Sequence, residues 1–561
     1  MPAFDVTSLH GRRADERYNR LAVGDLLERV TWHTPDREAL IGWEGAYGDP
    51  AFARVTYARA DAIANQVANA LLAAGLRRSD RVILYCDNSV EAVLTLIGIA
   101  KAGLVAVPVN PLMAPDVLTW AIGHVEARLA IVDTGLYARG AEAFAAAGLE
   151  PAVTIPIGEG DAPAGSVRFA EWIAGQPSAE PEVAAPPIHA DDVWSLTFTS
   201  GTTSMPKAVM TTHMYSYMAT HTYTLSYHRG VLRPNQIRAL SFLPIVYHCG
   251  HHAAVFSAWL GGGTAIVGRR PDAAGIVGAV TRERATALWA GSPILLTAVA
   301  DAAEADPAAA DLSSLTVALY SWATMHPDLV ARLRALAGDD LGLVEVFGQT
   351  ESMSSFRFWA DEWPEKVAAS RGTVNHVGGP TPVIAARVVD DAMNDLRDRP
   401  GVPGEAVYRG PALAAGYYRD EAATRAAFDG GWFHSGDSCR YEPDGQQIMV
   451  DRYKDVVKTG GENVSSQRVE GAVLQHPAVA RAAVIGVPDP KWGELIAAVV
   501  VLADGAALEA DELIAFCRQR LAGYETPKLV FTVDALPETV GGKVLKYRLR
   551  ERFAGAAPPQ P

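Results

Sequence analysis

A run of hydroxyl residues follows a short apolar segment in the middle of the chain. Residues 194–198 (Trp-Ser-Leu-Thr-Phe) are typical of a strand, and they lead directly into Thr199, Ser200, Gly201, Thr202, Thr203, Ser204, Met205, Pro206 and Lys207. Hydroxyl groups, the backbone N–H groups freed by a glycine, and a lysine are suited to binding phosphate oxygens. The glycine and lysine spacing of a Walker A loop is absent. Composition alone leaves a polar surface turn as an equal alternative.

Two further segments combine residue types that suit a nucleotide. Phe347-Gly348-Gln349-Thr350-Glu351 follows an apolar strand candidate, and its ring suits a purine while its carboxylate suits a hard cation such as Mg²⁺. Asp437 ends the segment Trp432-Phe433-His434-Ser435-Gly436-Asp437, and a carboxylate can accept both hydroxyl protons of a ribose. A strand-end turn with an incidental acidic residue is the structural alternative for residues 347–351.

The last hundred residues contain three segments rich in charge or glycine. They are Asp451-Arg452-Tyr453-Lys454-Asp455, Lys458-Thr459-Gly460-Gly461-Glu462-Asn463-Val464-Ser465-Ser466, and residues 537–546, which include Gly541, Gly542, Lys543 and Lys546. Glycines permit the close approach of a thin substrate arm, and a lysine can offset the charge that develops where two anions meet. Each segment alone would be interpreted as a solvated surface turn.

The order of these segments resembles that of the adenylate-forming superfamily, which includes acyl-CoA synthetases, luciferases and stand-alone adenylation domains. The resemblance covers residues from about 81 to 550 and implies ATP, Mg²⁺ and coenzyme A as cofactors or co-substrates. It implies catalytic roles for Lys543, Thr202, Glu351 and His248, with Glu351 as the metal ligand, Lys454 at the hinge, and Lys458, Gly460, Gly461 and Glu462 at coenzyme A. The implied ATP- and AMP-binding residues are Thr199, Ser200, Gly201, Thr202, Thr203, Lys207, Ala323, Thr324, Phe347, Gly348, Gln349, Thr350, Asp437, Arg452 and Lys543.

The sequence departs from the family pattern around the expected acyl pocket. Residues 243–248 (Leu-Pro-Ile-Val-Tyr-His) resemble a gating element, but the spacing from proline to His248 is one residue longer than the common form. A metal site formed by His248, His251, His252 and Cys249 is the less favoured interpretation, and packing near the substrate is preferred. Trp322 stands where the family often has glycine, which removes space beside either adenine or the acyl carboxylate. This bulk suggests a short or compact acid.

Alternation of short apolar runs and amphipathic stretches predicts the scaffold that holds these motifs. From residue 81 onward the pattern is βαβ-like, with helices over 89–102 and 114–125, and a second α/β unit has strand candidates at 194–199, 237–243, 263–267, 286–290, 315–321 and 342–347. We predict an α/β fold: a large N-terminal domain of two βαβ-type subdomains plus a small β-barrel, followed by a mobile α+β C-terminal domain. The predicted boundaries are 1–452 for the N-terminal AMP-binding domain, 453–550 for the C-terminal domain, and 551–561 for a disordered tail.

Composition restricts the class of partner. The 561 residues carry a formal net charge of −15, which argues against a general nucleic-acid binder or a protein held on anionic lipid. The four cysteines show no paired spacing, the N-terminus resembles neither a signal peptide nor an anchor, and no apolar run is long enough to span a bilayer. We therefore expect a cytoplasmic protein with a small carboxylic acid as substrate, and a homo-oligomer is compatible with the sequence.

The resemblance favours an ATP-dependent carboxylate–CoA ligase that forms acyl-CoA through an acyl-adenylate and releases pyrophosphate and AMP. One alternative keeps adenylation but transfers the acyl group to an amine or to a carrier-protein thiol. A second alternative is a non-catalytic nucleotide-binding relative. The joint presence of Lys207, Glu351, Asp437, Arg452 and Lys543 argues against the second alternative.

Overall fold

The computed structural model describes residues 21–183, 187–199, 205–227, 237–370, 374–453, 455–459, 462–538 and 544–554. Several predicted site residues lie outside these ranges, namely Ser200, Gly201, Thr202, Thr203, Lys454, Gly460, Gly461 and Lys543. Within the part of the chain that the structure describes, no helix is both long and apolar enough to cross a bilayer.

Twenty-five strands are described. In chain order they are β1 (Glu38–Gly42), β2 (Arg54–Thr56), β3 (Arg81–Tyr85), β4 (Val105–Pro108), β5 (Leu129–Asp133), β6 (Val153–Ile155), β7 (Val167–Arg168), β8 (Val193–Phe198), β9 (Ala208–Thr212), β10 (Arg238–Ser241), β11 (Thr264–Val267), β12 (Ala287–Gly291), β13 (Val317–Tyr320), β14 (Gly342–Gln349), β15 (Ser352–Trp359), β16 (Asn375–Pro380), β17 (Ala385–Val389), β18 (Gly404–Arg409), β19 (Phe433–Tyr441), β20 (Gln447–Arg452), β21 (Val457–Thr459), β22 (Glu462–Val464), β23 (Val479–Asp489), β24 (Gly493–Leu502) and β25 (Leu529–Thr532).

The described α-helices lie between these strands. They are α1 (Asp25–Thr31), α2 (Tyr57–Ala73), α3 (Val90–Lys101), α4 (Pro115–Val125), α5 (Thr134–Ala146), α6 (Phe169–Ile173), α7 (His213–Tyr227), α8 (His248–Gly250), α9 (Ser257–Leu260), α10 (Ala273–Glu283), α11 (Pro293–Ala305), α12 (Pro327–Ala337), α13 (Pro364–Ser370), α14 (Glu421–Ala427), α15 (Ser466–Val473), α16 (Ala510–Arg518) and α17 (Lys546–Phe553). Short 3₁₀ turns occupy Pro50–Phe52 and Asp429–Gly431, and a π-helix occupies His251–Phe256.

The strands form three sheets. A seven-stranded sheet has the order β7-β6-β5-β3-β4-β8-β9, and a thirteen-stranded sheet has the order β17-β18-β19-β20-β16-β15-β14-β13-β12-β10-β11-β1-β2. The strands β10 to β14 pair in parallel, and their apolar residues are buried on both faces because helices cover them. This arrangement confirms the two predicted βαβ units and the predicted strands and helices within them.

Strand pairing in the larger sheet changes from parallel to antiparallel after β14, where β15 pairs antiparallel with it. The strands β16 to β20 pair antiparallel and continue the larger sheet. After β20 the chain forms a separate small sheet of β21 to β25 with three helices, which fits the predicted α+β C-terminal unit. The mobility of this unit stays a prediction.

The predicted tail begins too early. Helix α17 runs through Phe553, and the Phe553 ring stacks on Phe531 with centroids 4.1 Å apart. Leu549 in the same helix is buried in the C-terminal core. These apolar contacts order residues 551–553, which the sequence analysis had assigned to the tail, because burial of the two side chains stabilises the last helical turn.

Candidate active site

The hydroxyl-rich segment connects β8 to β9. These strands pair antiparallel with Phe198 opposite Ala208, so the segment is the loop of a hairpin. Two hydrogen bonds close its base: the Thr199 N–H donates to the Lys207 carbonyl at 2.9 Å, and the Lys207 N–H donates to Thr199 Oγ1 at 3.0 Å. Thr199 and Lys207 are therefore held together at the base of the loop.

Tyr417 joins this hairpin to Glu351. The segment around Tyr417 pairs with β9, since the Met210 N–H donates to the Gly416 carbonyl at 2.8 Å and Val209 forms a bridge with Tyr417. Lys207 Nζ lies 4.4 Å from the centroid of the Tyr417 ring, and the Tyr417 hydroxyl donates to Glu351 Oε1 at 2.8 Å. Burial and the neighbouring Glu351 carboxylate raise the pKa of Tyr417, which keeps its hydroxyl protonated.

Sequence analysis missed Tyr417. Glu351 and Tyr417 are far apart in the chain, and the strand-edge pairing that unites them is a tertiary contact. The only local signal is Gly416, which has φ +129° and precedes two aromatic residues. A glycine in that conformation marks a bend but does not indicate a partner.

A second cluster forms around Asp437, which is 1% exposed. It lies on β19 directly opposite Arg452 on β20, and Arg452 Nε contacts Asp437 Oδ1 at 2.6 Å. Gln349 bridges toward the first cluster, because its amide donates to the Ser435 carbonyl at 3.3 Å and to Asp437 Oδ2 at 3.5 Å. Burial alone would lower the pKa of Arg452. The nearby carboxylates of Asp437 and Glu351 have the larger combined effect, and the pKa of Arg452 is raised.

The Phe347–Glu351 motif, at the end of β14 and in the turn that follows it, lies between these two clusters. Phe347 is half-buried and meets Phe356 edge-on at 6.1 Å, and Gly348, Gln349 and Thr350 are similarly half-exposed. The Thr350 carbonyl accepts a hydrogen bond from the Tyr215 hydroxyl at 2.8 Å. Glu351 is 8% exposed, and one of its carboxylate oxygens is bound by Tyr417. A buried carboxylate beside a loop that contains a lysine is suited to bind a divalent cation that is also coordinated by phosphates.

Ala323 and Thr324 follow β13 at the same edge of the sheet, and Trp322 precedes them. Trp322 has φ +69° and a 45% exposed side chain, and its indole meets Trp289 edge-on at 6.5 Å. It also covers Gly291, where an added Cβ would come within 2.7 Å of the indole. The indole therefore packs toward β12, on the side of the sheet where Trp289 joins the large buried cluster.

His248 lies in a fully buried group of imidazoles. His248, His251 and His252 bring one ring nitrogen each within 4.8 Å of one another. His248 Nε2 lies 3.3 Å from Thr211 Oγ1, His251 Nδ1 lies 2.7 Å from the Ile245 carbonyl, and His252 Nε2 lies 2.8 Å from Ser216 Oγ. Burial lowers the pKa of all three, that of His251 to about 4. The neutral rings pack against Trp194, Tyr215 and Phe256.

These depressed pKa values predict an acid-sensitive fold. Below the ordinary histidine pKa of 6.5 these histidines are protonated in the unfolded chain but remain neutral in the folded protein. The free energy of unfolding therefore falls as the pH drops from 6.5 toward 4. Each such histidine contributes up to about 1.4 kcal/mol per pH unit. We expect His252→Phe to lower this slope by up to about that amount, measured by urea unfolding at about pH 7 and about pH 5. Equal slopes in both proteins would contradict the expectation.

The predicted coenzyme A residues lie elsewhere, on the small sheet. Lys458 and Glu462 are exposed on the β21–β22 hairpin, with Thr459 opposite Glu462. The Lys458 N–H donates to Glu494 Oε2 at 2.7 Å on the adjacent strand. Those predicted nucleotide residues that the structure describes lie on or beside the two large sheets, whereas Lys458 and Glu462 lie on the small sheet.

The chain after β20 is tied to the hinge region by charged contacts. Asp451 Oδ2 accepts hydrogen bonds from the Ser466 N–H and hydroxyl, both at 2.6 Å, and Arg550 pairs with Asp455 at 2.9 Å. Lys546 lies 2.8 Å from Glu470 and also donates to Ser466 Oγ at 2.6 Å. The predicted hinge residue Lys454 is flanked by these two anchored aspartates.

Comparison with known proteins was made on the whole chain. Residues 27–418 match the family described as AMP-binding enzyme, and residues 468–543 match the AMP-binding enzyme C-terminal domain. A feruloyl-CoA synthase of Amycolatopsis is 34% identical over 89% of this chain and 94% of its own. A long-chain-fatty-acid–CoA ligase of Mycobacterium tuberculosis is 30% identical over 95% and 100%. The amide bond synthetase McbA of Marinactinospora thermotolerans has a similar structure, with TM-score 0.77, 26% identity and coverage of 95% and 100%.

Proposed function

Because the chain belongs to the AMP-binding enzyme family, within the adenylate-forming superfamily, we propose that it is an ATP-dependent carboxylate–CoA ligase acting through an acyl-adenylate. One observation carries the proposal. Glu351 is joined to the phosphate-loop hairpin through Tyr417, and Gln349, two residues earlier, reaches the Asp437–Arg452 pair. A phosphate site, a cation ligand and a ribose site are thereby arranged around one short segment.

We assign the roles in the bound state accordingly. The Thr199–Lys207 hairpin receives the phosphates, the Phe347 ring stacks on adenine, and Asp437 accepts the ribose hydroxyls while Arg452 holds it in place. Glu351 has a carboxylate oxygen available beyond the one bound by Tyr417, which fits Mg²⁺. Bound Mg²⁺ would neutralise phosphate charge.

The first half-reaction joins two anions. A carboxylate oxygen of the acid attacks the α-phosphorus of ATP, the bond from that phosphorus to the bridging oxygen breaks, and pyrophosphate leaves. Lys207 at the phosphate loop and Lys543 on the C-terminal segment offset the charge that builds up as the anions meet. Thr202 donates a hydrogen bond to a phosphate oxygen, and His248 packs on the acyl side of the site.

The second half-reaction transfers the acyl group to sulfur. The coenzyme A thiol gives its proton to solvent and its sulfur attacks the acyl carbonyl carbon, and AMP leaves with the electron pair of the broken acyl–phosphate anhydride bond. We propose that residues 453–550 form a mobile domain that pivots at Lys454 and brings Lys458, Gly460, Gly461 and Glu462 to the pantetheine arm. The glycines leave room for that thin arm.

Acid-dependent ATP–pyrophosphate exchange tests the proposal. We expect exchange in the presence of Mg²⁺ without coenzyme A, across a panel of short, medium, long, cyclic and aromatic acids. Absence of exchange with every acid, in folded protein, would contradict adenylation and favour the non-catalytic alternative.

The acceptor is tested separately. We expect coenzyme A to accelerate AMP release, whereas acceleration by amines alone would favour an amide synthetase, the activity named for McbA. A cytoplasmic location and a small carboxylic acid as substrate complete the proposal.

Trp322 predicts the size of the acid. Its indole meets Trp289 edge-on beside the proposed nucleotide segment and takes up space there, so a short or compact acid should be preferred. We expect Trp322→Gly to increase the relative rate with C12–C16 acids about tenfold or more. Glycine also suits the φ of +69°, so the substitution should relieve roughly 1–2 kcal/mol of backbone strain.

The measurement is pyrophosphate exchange with straight-chain acids of graded length, together with thermal unfolding. Trp492→Gly is the matched control, because Trp492 is similarly exposed at 47% but lies beside the small sheet. Wild-type activity on palmitate equal to that on C4–C8 or cyclic acids would contradict the size prediction.

A further inference from the structure

Glu405 lies on β18 beside the part of β19 that carries Asp437. One oxygen of its carboxylate, Oε2, accepts a hydrogen bond from His434 Nδ1 at 2.7 Å, and the other, Oε1, accepts one from the Gly436 N–H at 3.1 Å. An ionised carboxylate only accepts hydrogen bonds, so one side chain serves both donors at once. The two donors lie on either side of Ser435, and Glu405 therefore spans the three residues that precede Asp437.

This part of β19 is a bulge in the sheet. Between two regular pairs, the three residues 435–437 of β19 stand opposite a single residue of β18, Ala406, and we call these three residues the β19 bulge. A bulge interrupts the regular pairing of a strand and turns the side chains within it in new directions. Gly436, at its centre, has φ +67°, a conformation that glycine adopts readily. The shape of the β19 bulge therefore determines where the Asp437 carboxylate points.

Ser435 fixes the first residue of the β19 bulge. Its hydroxyl donates to the Ala406 carbonyl at 2.5 Å and accepts from the Asp437 N–H at 3.0 Å. Its carbonyl accepts from the Gln349 amide at 3.3 Å. These three contacts attach the β19 bulge to β18, to the backbone of Asp437 and to the end of β14.

The peptide groups of Gly436 attach the β19 bulge on both sides. Its carbonyl accepts from the Tyr453 N–H at 3.1 Å, immediately after β20, and its N–H donates to Glu405 on β18. The side chains of Glu405 and His434 are only 25% and 23% exposed. Removing the carboxylate would deprive two partly buried N–H groups of their acceptor, which costs more free energy than a hydrogen bond normally contributes. The β19 bulge therefore needs Glu405 to keep this shape.

We propose that Glu405 is a positioning residue for the ribose site: its two hydrogen bonds hold the β19 bulge, and the bulge aims the Asp437 carboxylate at both ribose hydroxyls. This inference rests on the proposed function, in which Asp437 accepts the ribose hydroxyls and Arg452 holds it in place. Arg452 constrains the carboxylate from β20, and Glu405 constrains the backbone that carries it from β18. The preference for nucleotides that have both ribose hydroxyls should therefore depend on Glu405.

A nucleotide that lacks the ribose hydroxyls tests this assignment. Acid-dependent pyrophosphate exchange is measured with ATP and with 2′,3′-dideoxy-ATP, using the acid that gives the fastest exchange. We expect wild-type kcat/KM to favour ATP about 100-fold or more, because a site built to bind hydroxyl groups rejects an analogue that leaves its polar groups unpaired. Glu405→Ala should lower this preference about tenfold or more, mainly through a higher KM for ATP, and should change kcat/KM for dideoxy-ATP by less than about threefold.

Two further variants separate the hydrogen bonds of Glu405 from its charge. Glu405→Gln keeps the shape, since its carbonyl can accept from the Gly436 N–H and its amide can donate to His434 Nδ1 once the imidazole proton lies on Nε2. It should retain the preference for ATP within about threefold. Glu405→Asp keeps the charge but is one methylene shorter and cannot reach both donors, so it should lower the preference about fivefold or more. Glu405→Asp decides the question if Glu405→Ala does not fold.

Asp395→Ala is the matched control. The Asp395 carboxylate also accepts from one side chain and one backbone N–H, namely Arg387 Nε at 3.2 Å and the Arg397 N–H at 3.0 Å. Its side chain is 32% exposed, close to the 25% of Glu405, but it lies in the connection between β17 and β18 and not at the β19 bulge. This variant should leave the preference for ATP unchanged. Thermal unfolding checks that each variant is folded.

The outcomes distinguish this inference from the function on which it rests. No exchange with any acid would overturn the proposed function itself. Exchange that is equally efficient with ATP and dideoxy-ATP in the wild type would overturn the ribose role of Asp437 and this inference with it, while adenylation would stand. An unchanged preference in folded Glu405→Ala, or equal losses with both nucleotides, would overturn only the role of Glu405. A loss of preference in Glu405→Gln as large as in Glu405→Ala would assign the effect to charge, and would also overturn the inference.

Discussion

Replacing Lys543 with alanine is expected to lower acid-dependent ATP–pyrophosphate exchange by about two to three orders of magnitude, while thioester formation from supplied acyl-adenylate and coenzyme A changes less than about threefold. The lysine lies outside the described residues, and its role rests on the motif Gly541-Gly542-Lys543. A cation at that point is needed only while the carboxylate and the α-phosphate approach. Once the adenylate exists, the same charge contributes little to attack by sulfur.

The two half-reactions must be measured on the same preparation. Exchange of labelled pyrophosphate reports the first, and release of AMP from synthetic acyl-adenylate on addition of coenzyme A reports the second. Lys528→Ala is the matched control, since Lys528 is an exposed lysine of the same region whose ammonium, among the described residues, donates to the Gly523 carbonyl at 3.3 Å. Equal losses in both half-reactions would contradict a C-terminal domain that serves the two steps in different orientations.

The scaffold was largely predictable because its signal is local. Buried parallel strands require continuous apolar runs, and the segments at Val82, Val105 and Leu129 have them, so the βαβ rhythm could be identified without tertiary information. The end of the chain was harder to predict. Phe553 is ordered by stacking on Phe531, and that contact has no local signature in the tail.

The residues of the candidate site likewise fall into those that local sequence motifs predict and those that depend on tertiary contacts. Glu351, Asp437 and Arg452 stand in recognisable motifs, and the structure brings Asp437 and Arg452 together because they pair across β19 and β20. Tyr417 could not be predicted as a neighbour of Lys207 and Glu351, since these partners lie on other elements. The direction of the Trp322 indole likewise depends on the packing of Trp289.

The second large effect is expected for Glu351→Gln, which should lower pyrophosphate exchange about 100-fold or more and raise the Mg²⁺ concentration needed for half-maximal rate. The amide has nearly the same shape and can still accept the Tyr417 hydrogen bond, which is 2.8 Å long in the wild type. It lacks the negative charge that a hard divalent cation prefers in its ligands. The loss should therefore reflect cation binding, with the fold retained.

Tyr417→Phe provides the complementary control because it removes the hydrogen bond that Glu351→Gln keeps, and it leaves the Glu351 carboxylate charged. Losing one neutral donor to Glu351 should reduce exchange by less than about tenfold, without a comparable shift in Mg²⁺ dependence. Measuring exchange over a range of Mg²⁺ concentrations in wild type and both variants separates the two effects. If Tyr417→Phe and Glu351→Gln shift the Mg²⁺ dependence equally, the hydrogen bond rather than the charge controls the site, and Glu351 is not the cation ligand.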